Sequence, residues 1–251
     1  MARPFHPPRK MKTPRLAILL TVAALSGTSL HAAIISWGAP TNISGDGDVS
    51  TNGTMLGAFN VGGPATTVNG VNFQAFGVGA TSNTDGNFNL SSSSVIGANS
   101  FSTALTPFSN LSASYRSLIS TGANSGRLLT LTLGGLTVGQ TYIFQTWVNE
   151  SQSHIPPGFT FEVDVSSGSL ITLDPNTTIF EGGLGQYVVG TFTASAASQQ
   201  VTYDNSEVGG SLAAFQLRAA APPAVPEPGT ALFGLALLGA TGCTRRRPSR
   251  S

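Results

Sequence analysis

The chain predicts an all-β fold: a single β-sandwich, jelly-roll-like, between an N-terminal signal peptide and a C-terminal short transmembrane helix. Three observations carry that expectation. Apolar and polar residues alternate in short runs through residues 33–218, clusters of Gly, Asn, Ser and Asp separate the runs, and helical periodicity is confined to residues 111–120. Repeated period-two alternation with turn signals between describes antiparallel sheet with one buried face. A hydrophobic fraction of 40% with 14 phenylalanines supplies a packed interior, although 30 glycines and 9% charged residues would otherwise suit disorder.

The strands follow in order. Residues 71–76 set Val71 and Phe73 against Asn72 and Gln74, and residues 129–133 set three leucines against Thr130 and Thr132. The same alternation marks residues 142–148, 159–165, 187–192 and 215–217, and the spacing of turn signals implies nine to eleven strands in all. No repeat of 20 to 50 residues is present, which argues against a propeller or solenoid. The approach to Tyr142 through Leu136, Thr137, Val138, Gly139, Gln140 and Thr141 looks like the start of a strand in extracellular sandwiches, where a tyrosine hydroxyl caps a nearby backbone group.

Charge is segregated. Both lysines and three arginines precede Leu16, and four arginines follow Gly242, leaving Arg116, Arg127 and Arg218 against ten carboxylates in residues 33–225, a formal charge of −7. Displacing counterions from nucleic acid requires basic side chains, so nucleic-acid binding is excluded as a class. The single cysteine, Cys243, lies near the C-terminus, so the body has no internal disulfide, thiolate metal site or Cys nucleophile.

The two ends read as targeting segments. Arg3, Arg9, Lys10, Lys12 and Arg15 precede ten uncharged residues, 16–25, and small and polar residues run on to Ala32 and Ala33. That order is a secretory signal peptide (1–32, with an upstream extension before Met11), handled by signal peptidase. The body, 33–218, is followed by an Ala/Pro stalk, 219–224, and then by Val225, Pro226, Glu227 and Pro228. Between Pro228 and Arg245 lie 16 residues, enough for about 24 Å of helix at 1.5 Å per residue. A hydrocarbon core is about 30 Å thick, so this segment spans it only if Arg245, Arg246 and Arg247 snorkel on the cytoplasmic side.

The Val-Pro-Glu-Pro motif, the short span rich in Gly, Leu and Ala and the arginine tail resemble the PEP-CTERM sorting signal of bacterial exosortase substrates. The resemblance covers residues 225–251. It implies export, transient anchoring in the inner membrane, processing by an exosortase, and association with the cell surface or an extracellular polysaccharide matrix. Cys243-Thr244 departs from the apolar residues usual at that point. In the body, residues 185–194, 200–203 and 214–217 are similar to the final strands of galactose-binding-like carbohydrate modules, without ligand residues to carry over.

Candidate chemistry is sparse. Asp46 and Asp48, with Ser50, Thr51 and Asn52 close behind, place oxygen ligands on one glycine-rich loop, which suits Ca²⁺ as a bound ion. A turn held by Asx hydrogen bonds explains the same residues. Trp37, Trp147 and Tyr115 offer faces for sugar rings, or core packing. His154 sits among serines in a loop, and Glu150, Glu162, Asp164 and Glu181 could supply a glycosidase pair, with Glu162 and Asp164 on one side of a strand about 6.6 Å apart. No nucleophile elbow or phosphate loop accompanies them. The expectation is therefore a non-enzymatic, exosortase-sorted surface or matrix protein whose body binds polysaccharide or helps organise an exopolysaccharide layer. The alternative is a secreted hydrolase acting on extracellular polymer.

Overall fold

The computed structural model describes residues 33–125, 128–152, 162–205 and 212–221. The leader, residues 222–224 of the stalk, the sorting motif with its short helix and arginines, and His154 all lie outside them. Among the described residues, no helix is long and apolar enough to cross a membrane.

The chain is mostly β, as its periodicity predicts. Its strands are β1 (Ser36–Trp37), β2 (Thr41–Asn42), β3 (Thr54–Val61), β4 (Thr66–Val68), β5 (Val71–Phe76), β6 (Ser82–Asp85), β7 (Phe88–Ser91) and β8 (Gly97–Ser100). After helix α1 (Ala113–Ile119) come β9 (Thr121–Asn124), β10 (Leu128–Leu133), β11 (Thr141–Val148), β12 (Val163–Ser166), β13 (Leu170–Leu173), β14 (Gln186–Thr193), β15 (Gln199–Asn205) and β16 (Leu212–Ala219). These exceed the nine to eleven expected, because short polar strands such as β6, β8 and β9 carry no apolar alternation to reveal them.

A large sheet runs β1-β14-β11-β16-β3-β5-β4, and a smaller one runs β13-β12-β15-β10-β7-β6. Eight strands, β3 and β10 to β16, form the two four-stranded blocks β3-β16-β11-β14 and β10-β15-β12-β13, which is jelly-roll interleaving. Between β3 and β10, an insertion contributes β4 to β9 and α1.

The inward leucines of β10 and the inward phenylalanines of the large sheet make the core between the sheets. Phe59 meets Phe88 across the gap with ring centroids 4.9 Å apart, and Phe215 meets Phe59 at 5.2 Å, Phe88 at 5.7 Å and Phe76 at 5.8 Å. Burying each such ring contributes about 1.5–3 kcal/mol. One polar contact crosses the same gap, where Thr146 Oγ1 and the Tyr203 hydroxyl lie 3.0 Å apart. Burial pushes the Tyr203 phenol pKa well up, so it stays a neutral hydrogen-bonding group.

The large sheet departs from the expectation of one buried face. Its second face is covered by a separate apolar cluster of Val49, Phe73, Tyr115, Leu118, Ile119 and Trp147 with their neighbours. Helix α1 supplies three of these from one side, at the spacing that a helix presents to a surface, and Ser112 caps its start by accepting the Tyr115 N–H at 3.1 Å. The β3–β5 pair is also parallel, joined through the β4 hairpin rather than by a simple meander.

Strand directions define two poles. Val148 pairs with Gln186 and Leu212, so the β11–β12, β13–β14 and β15–β16 connections gather at one end, here called the apex. Tyr142 pairs with Ala219 and Phe192, placing the β10–β11 and β14–β15 turns at the opposite end, the base. The chain also enters and leaves the domain at the base. Strand β1 comes up beside Thr191, and beyond β16 the Ala220 N–H still donates to Thr141 O at 2.9 Å, so ordered structure runs past residue 218. The Tyr142 hydroxyl accepts the Thr137 N–H at 2.7 Å, the backbone cap that the approach to this strand foreshadowed.

Candidate functional site

The residues singled out from sequence separate into structural groups and one exposed apex. Asp46 and Asp48 form a short 3₁₀ turn in a strap, residues 43–53, that crosses the outer face of the large sheet. The Asp48 oxygens already accept four hydrogen bonds: Oδ2 from Ser44 N at 2.7 Å, Gly45 N at 3.0 Å and the Tyr115 hydroxyl at 2.8 Å, and Oδ1 from the Ser44 hydroxyl at 2.6 Å. Asp46 Oδ1 accepts the Ser112 hydroxyl at 2.6 Å. A cation would have to displace these donors, and among the described residues no three His, Cys, Asp or Glu side chains converge as a metal-binding group.

Beneath the strap lies a polar row that sequence reading did not find. Gln145, Gln216 and Arg218 are buried on the sheet and bind the strap backbone as a neighbouring strand would. Gln145 accepts Ser50 N at 3.0 Å and donates to Asp48 O at 2.7 Å; Gln216 donates to Ser50 O at 3.0 Å and Gln145 Oε1 at 2.6 Å. Arg218 donates through Nη1 to Thr51 O and Gly53 O, both at 3.0 Å, and through Nε to Gln216 Oε1 at 3.1 Å. Burial lowers the Arg218 pKa, which makes these acceptors necessary.

The aromatic candidates pack inward. Trp147 is fully buried, donates to the Tyr115 hydroxyl at 3.1 Å and meets Phe73 edge-on at 5.7 Å. Desolvation first, then the Asp48 charge, raise the Tyr115 pKa far above its ordinary range, so the chain Trp147–Tyr115–Asp48 carries a fixed proton arrangement. Trp37 packs on Phe144 at 6.1 Å and donates to Ser169 O at 3.2 Å. It crosses β14 at Gly190, where a Cβ would strike Trp37 and Ile35.

The carboxylate candidates sit on separate elements. Glu162 is exposed just before β12, and Asp164 faces outward on the small sheet with Oδ1 accepting the Thr172 hydroxyl at 2.6 Å. Its cross-strand neighbour is Asp204, which sequence spacing could not reveal because the pairing joins residues forty apart. Around them the strand register sets Ser91, Thr130, Thr202 and Ser166 in one cross-strand row. Glu150 is buried at the apex and accepts Gln152 N at 3.2 Å.

What remains exposed and built is the β13–β14 loop at the apex. Thr177 N donates to Leu184 O at 3.0 Å and closes the loop, and Asn176 Nδ2 donates to Glu150 O at 2.9 Å and Phe180 O at 3.0 Å. Gly182, at φ +91°, turns the chain against Leu105 and Thr106, where no Cβ fits, and donates to Ser151 O at 2.7 Å. The tip presents Ile179 and Phe180 beside Glu181, whose Oε1 accepts the Thr103 hydroxyl at 2.8 Å. At the root of the loop, burial pushes the Asp174 carboxyl up, opposed by the Asn176 N–H that its Oδ1 accepts at 2.8 Å.

Comparison with protein-family models, with curated proteins and with solved structures finds no match to this chain. Fold and side-chain chemistry alone define the candidate: an all-β sandwich whose described surface includes an acidic, partly apolar apex.

Proposed function

We propose that this is an exported, non-enzymatic surface or matrix protein, sorted by an exosortase through residues 225–251, whose sandwich binds or organises extracellular polysaccharide. The observation that carries the reading is the order Val225-Pro226-Glu227-Pro228, short apolar segment, Arg245-Arg246-Arg247 at the C-terminus. The position of Ala219 at the base supports it, because the chain runs on toward the sorting motif from the end opposite the apex. The short helix holds the chain at the inner membrane only until Pro226-Glu227-Pro228 is processed, after which the domain belongs to the cell surface or the matrix.

The absence of basic side chains from much of the described surface supports a neutral or cationic polymer over nucleic acid. Outward-facing Asp164, bound to Thr172, supports a structural over a catalytic role for that carboxylate. Mass spectrometry of the mature protein from its producing cell tests the sorting step. Loss of the arginine tail near Glu227 is the expected result, and an intact tail on the surface protein would refute exosortase processing.

A further inference from the structure

The apex combines three features that the sorting reading does not use. Leu105, Ile179 and Phe180 are exposed by 50%, 40% and 58%, and Leu105 lies against Gly182 of the loop whose tip carries the other two.

That loop is held stiffly. Phe180 O accepts from both Asn176 Nδ2 and Gly183 N at 3.0 Å, and Ile179 stands at φ +60°. A β-branched residue in the left-handed region costs on the order of 1–3 kcal/mol, a strain tolerated only where the surrounding bonds impose it. The Phe180 backbone is thus ordered in advance, which lowers the entropy lost when its ring meets a ligand.

The third feature is charge. Glu150, Glu162, Asp164, Asp174, Glu181 and Asp204 all fall at the apical ends of their strands and loops. The base turns at residues 134–140, 167–169 and 194–198 carry none, and Asp85 stands alone at the turn into β7. The cation near Leu105 is Arg116, whose guanidinium donates to Ser109 O at 3.4 Å. Among the described residues the apical charge is therefore net negative, which disfavours uronates, phosphates and anionic lipid and favours amines.

Resting on the extracellular location argued above, we propose that the apex binds a glycan bearing protonated amines. The Phe180 ring stacks on the apolar face of an amino sugar, and the Glu181 carboxylate, held by Thr103, takes the ammonium. An aromatic face beside a carboxylate satisfies both halves of such a ligand, its C–H face and its cation.

The test titrates a fluorescent glucosamine hexamer into the full chain in detergent micelles, with its N-acetylated counterpart and an oligolysine of equal charge alongside. The expected result is binding of the amine-bearing glycan about tenfold tighter than the acetylated one, lost by about tenfold in Phe180→Leu and Glu181→Gln and retained in Phe180→Tyr. Near-ultraviolet circular dichroism verifies that each variant keeps its aromatic core.

Equal affinity for the acetylated oligomer, or a Phe180→Leu variant that binds as well as the parent, overturns the proposal. Oligolysine bound as tightly and with the same dependence on Phe180 also overturns it, making the apex a basic-peptide site. The outcome is separable from sorting. A processed tail without glycan binding removes this inference alone, and glycan binding with an intact tail removes the sorting reading alone.

Discussion

Replacing Gln216 by Ala isolates what the buried polar row under the strap does for stability. The substitution deletes the donor to Ser50 O and to Gln145 Oε1 and the acceptor for Arg218 Nε. Gln145 keeps its bonds to Ser50 N and Asp48 O, and Arg218 keeps Thr51 O and Gly53 O, so the strap loosens at its middle without detaching. Three hydrogen bonds at about 1 kcal/mol each, with Arg218 Nε left buried without its acceptor, predict a loss of about 3 kcal/mol. For a domain of this size that lowers the thermal midpoint by about 6–12 °C.

Far-ultraviolet circular dichroism on heating, together with urea denaturation, reads the change. A Gln145→Ala partner completes a double-mutant cycle, in which the double variant falls short of additivity by about 0.5–3 kcal/mol because the two amides share one network. A Gln216→Ala loss within about 0.5 kcal/mol, the ordinary range for an exposed surface substitution, would refute the assignment of these side chains as a surrogate strand.

Four further outcomes follow from the same geometry. Phe215→Ala, which empties the centre of the inter-sheet aromatic group, costs about 3–5 kcal/mol by chemical denaturation; a smaller loss than Phe180→Ala would invert the assigned core and surface. Tyr115→Phe strands the Trp147 indole N–H and removes a donor from Asp48, a cost of about 1–3 kcal/mol accompanied by a changed tryptophan emission; unchanged stability and emission would remove that chain from the account. Calcium at millimolar levels leaves the thermal midpoint unchanged, since Asp48 is saturated with donors; a calcium-dependent rise lost in Asp48→Asn would establish an ion site.

The fourth concerns Asp174, whose folded pKa lies above its unfolded value. The folded state then holds the extra proton, so this group's contribution to stability falls as pH rises from the unfolded pKa through the folded one. Asp174→Asn, which keeps an acceptor for the Asn176 N–H, should therefore gain relative to the parent at neutral pH and lose that gain in acid. A gain that grew toward low pH would reverse the sign.

The parts of the fold legible in advance are those with one wet face. Strand β10 alternates Leu129, Leu131 and Leu133 inward with Thr130 and Thr132 outward, and period two identifies it directly. Strand β16 is buried nearly throughout, on one side by the opposing sheet and on the other by the strap and α1, so its LAAFQLRA run alternates imperfectly and hides Gln216 and Arg218 among core residues. A buried glutamine has the same local signature as a solvent-facing one; only the long-range partner, here Ser50, distinguishes them. The weak helical pattern at 111–120 did become α1. Trp147 and Tyr115 went to the core because their polar atoms satisfy each other, a pairing thirty-two residues apart that no local pattern encodes.

The apex was illegible for a different reason. The run from Asn176 to Gly185 looks like polar, glycine-rich linker, and only the closure by Thr177 and the anchoring by Asn176 turn it into a shaped loop. Asp164 was legible as an outward strand residue, whereas its neighbour Asp204 required the sheet register.

The central place of β16 has a mechanical meaning. It is bonded along one side to β11 and along the other to β3, and it is the strand from which the C-terminal tail departs. A force applied between the two ends of β16 pulls lengthwise on that strand, so rupture must shear both ladders together instead of peeling them one bond at a time. Load along that line meets the two ladders at their strongest.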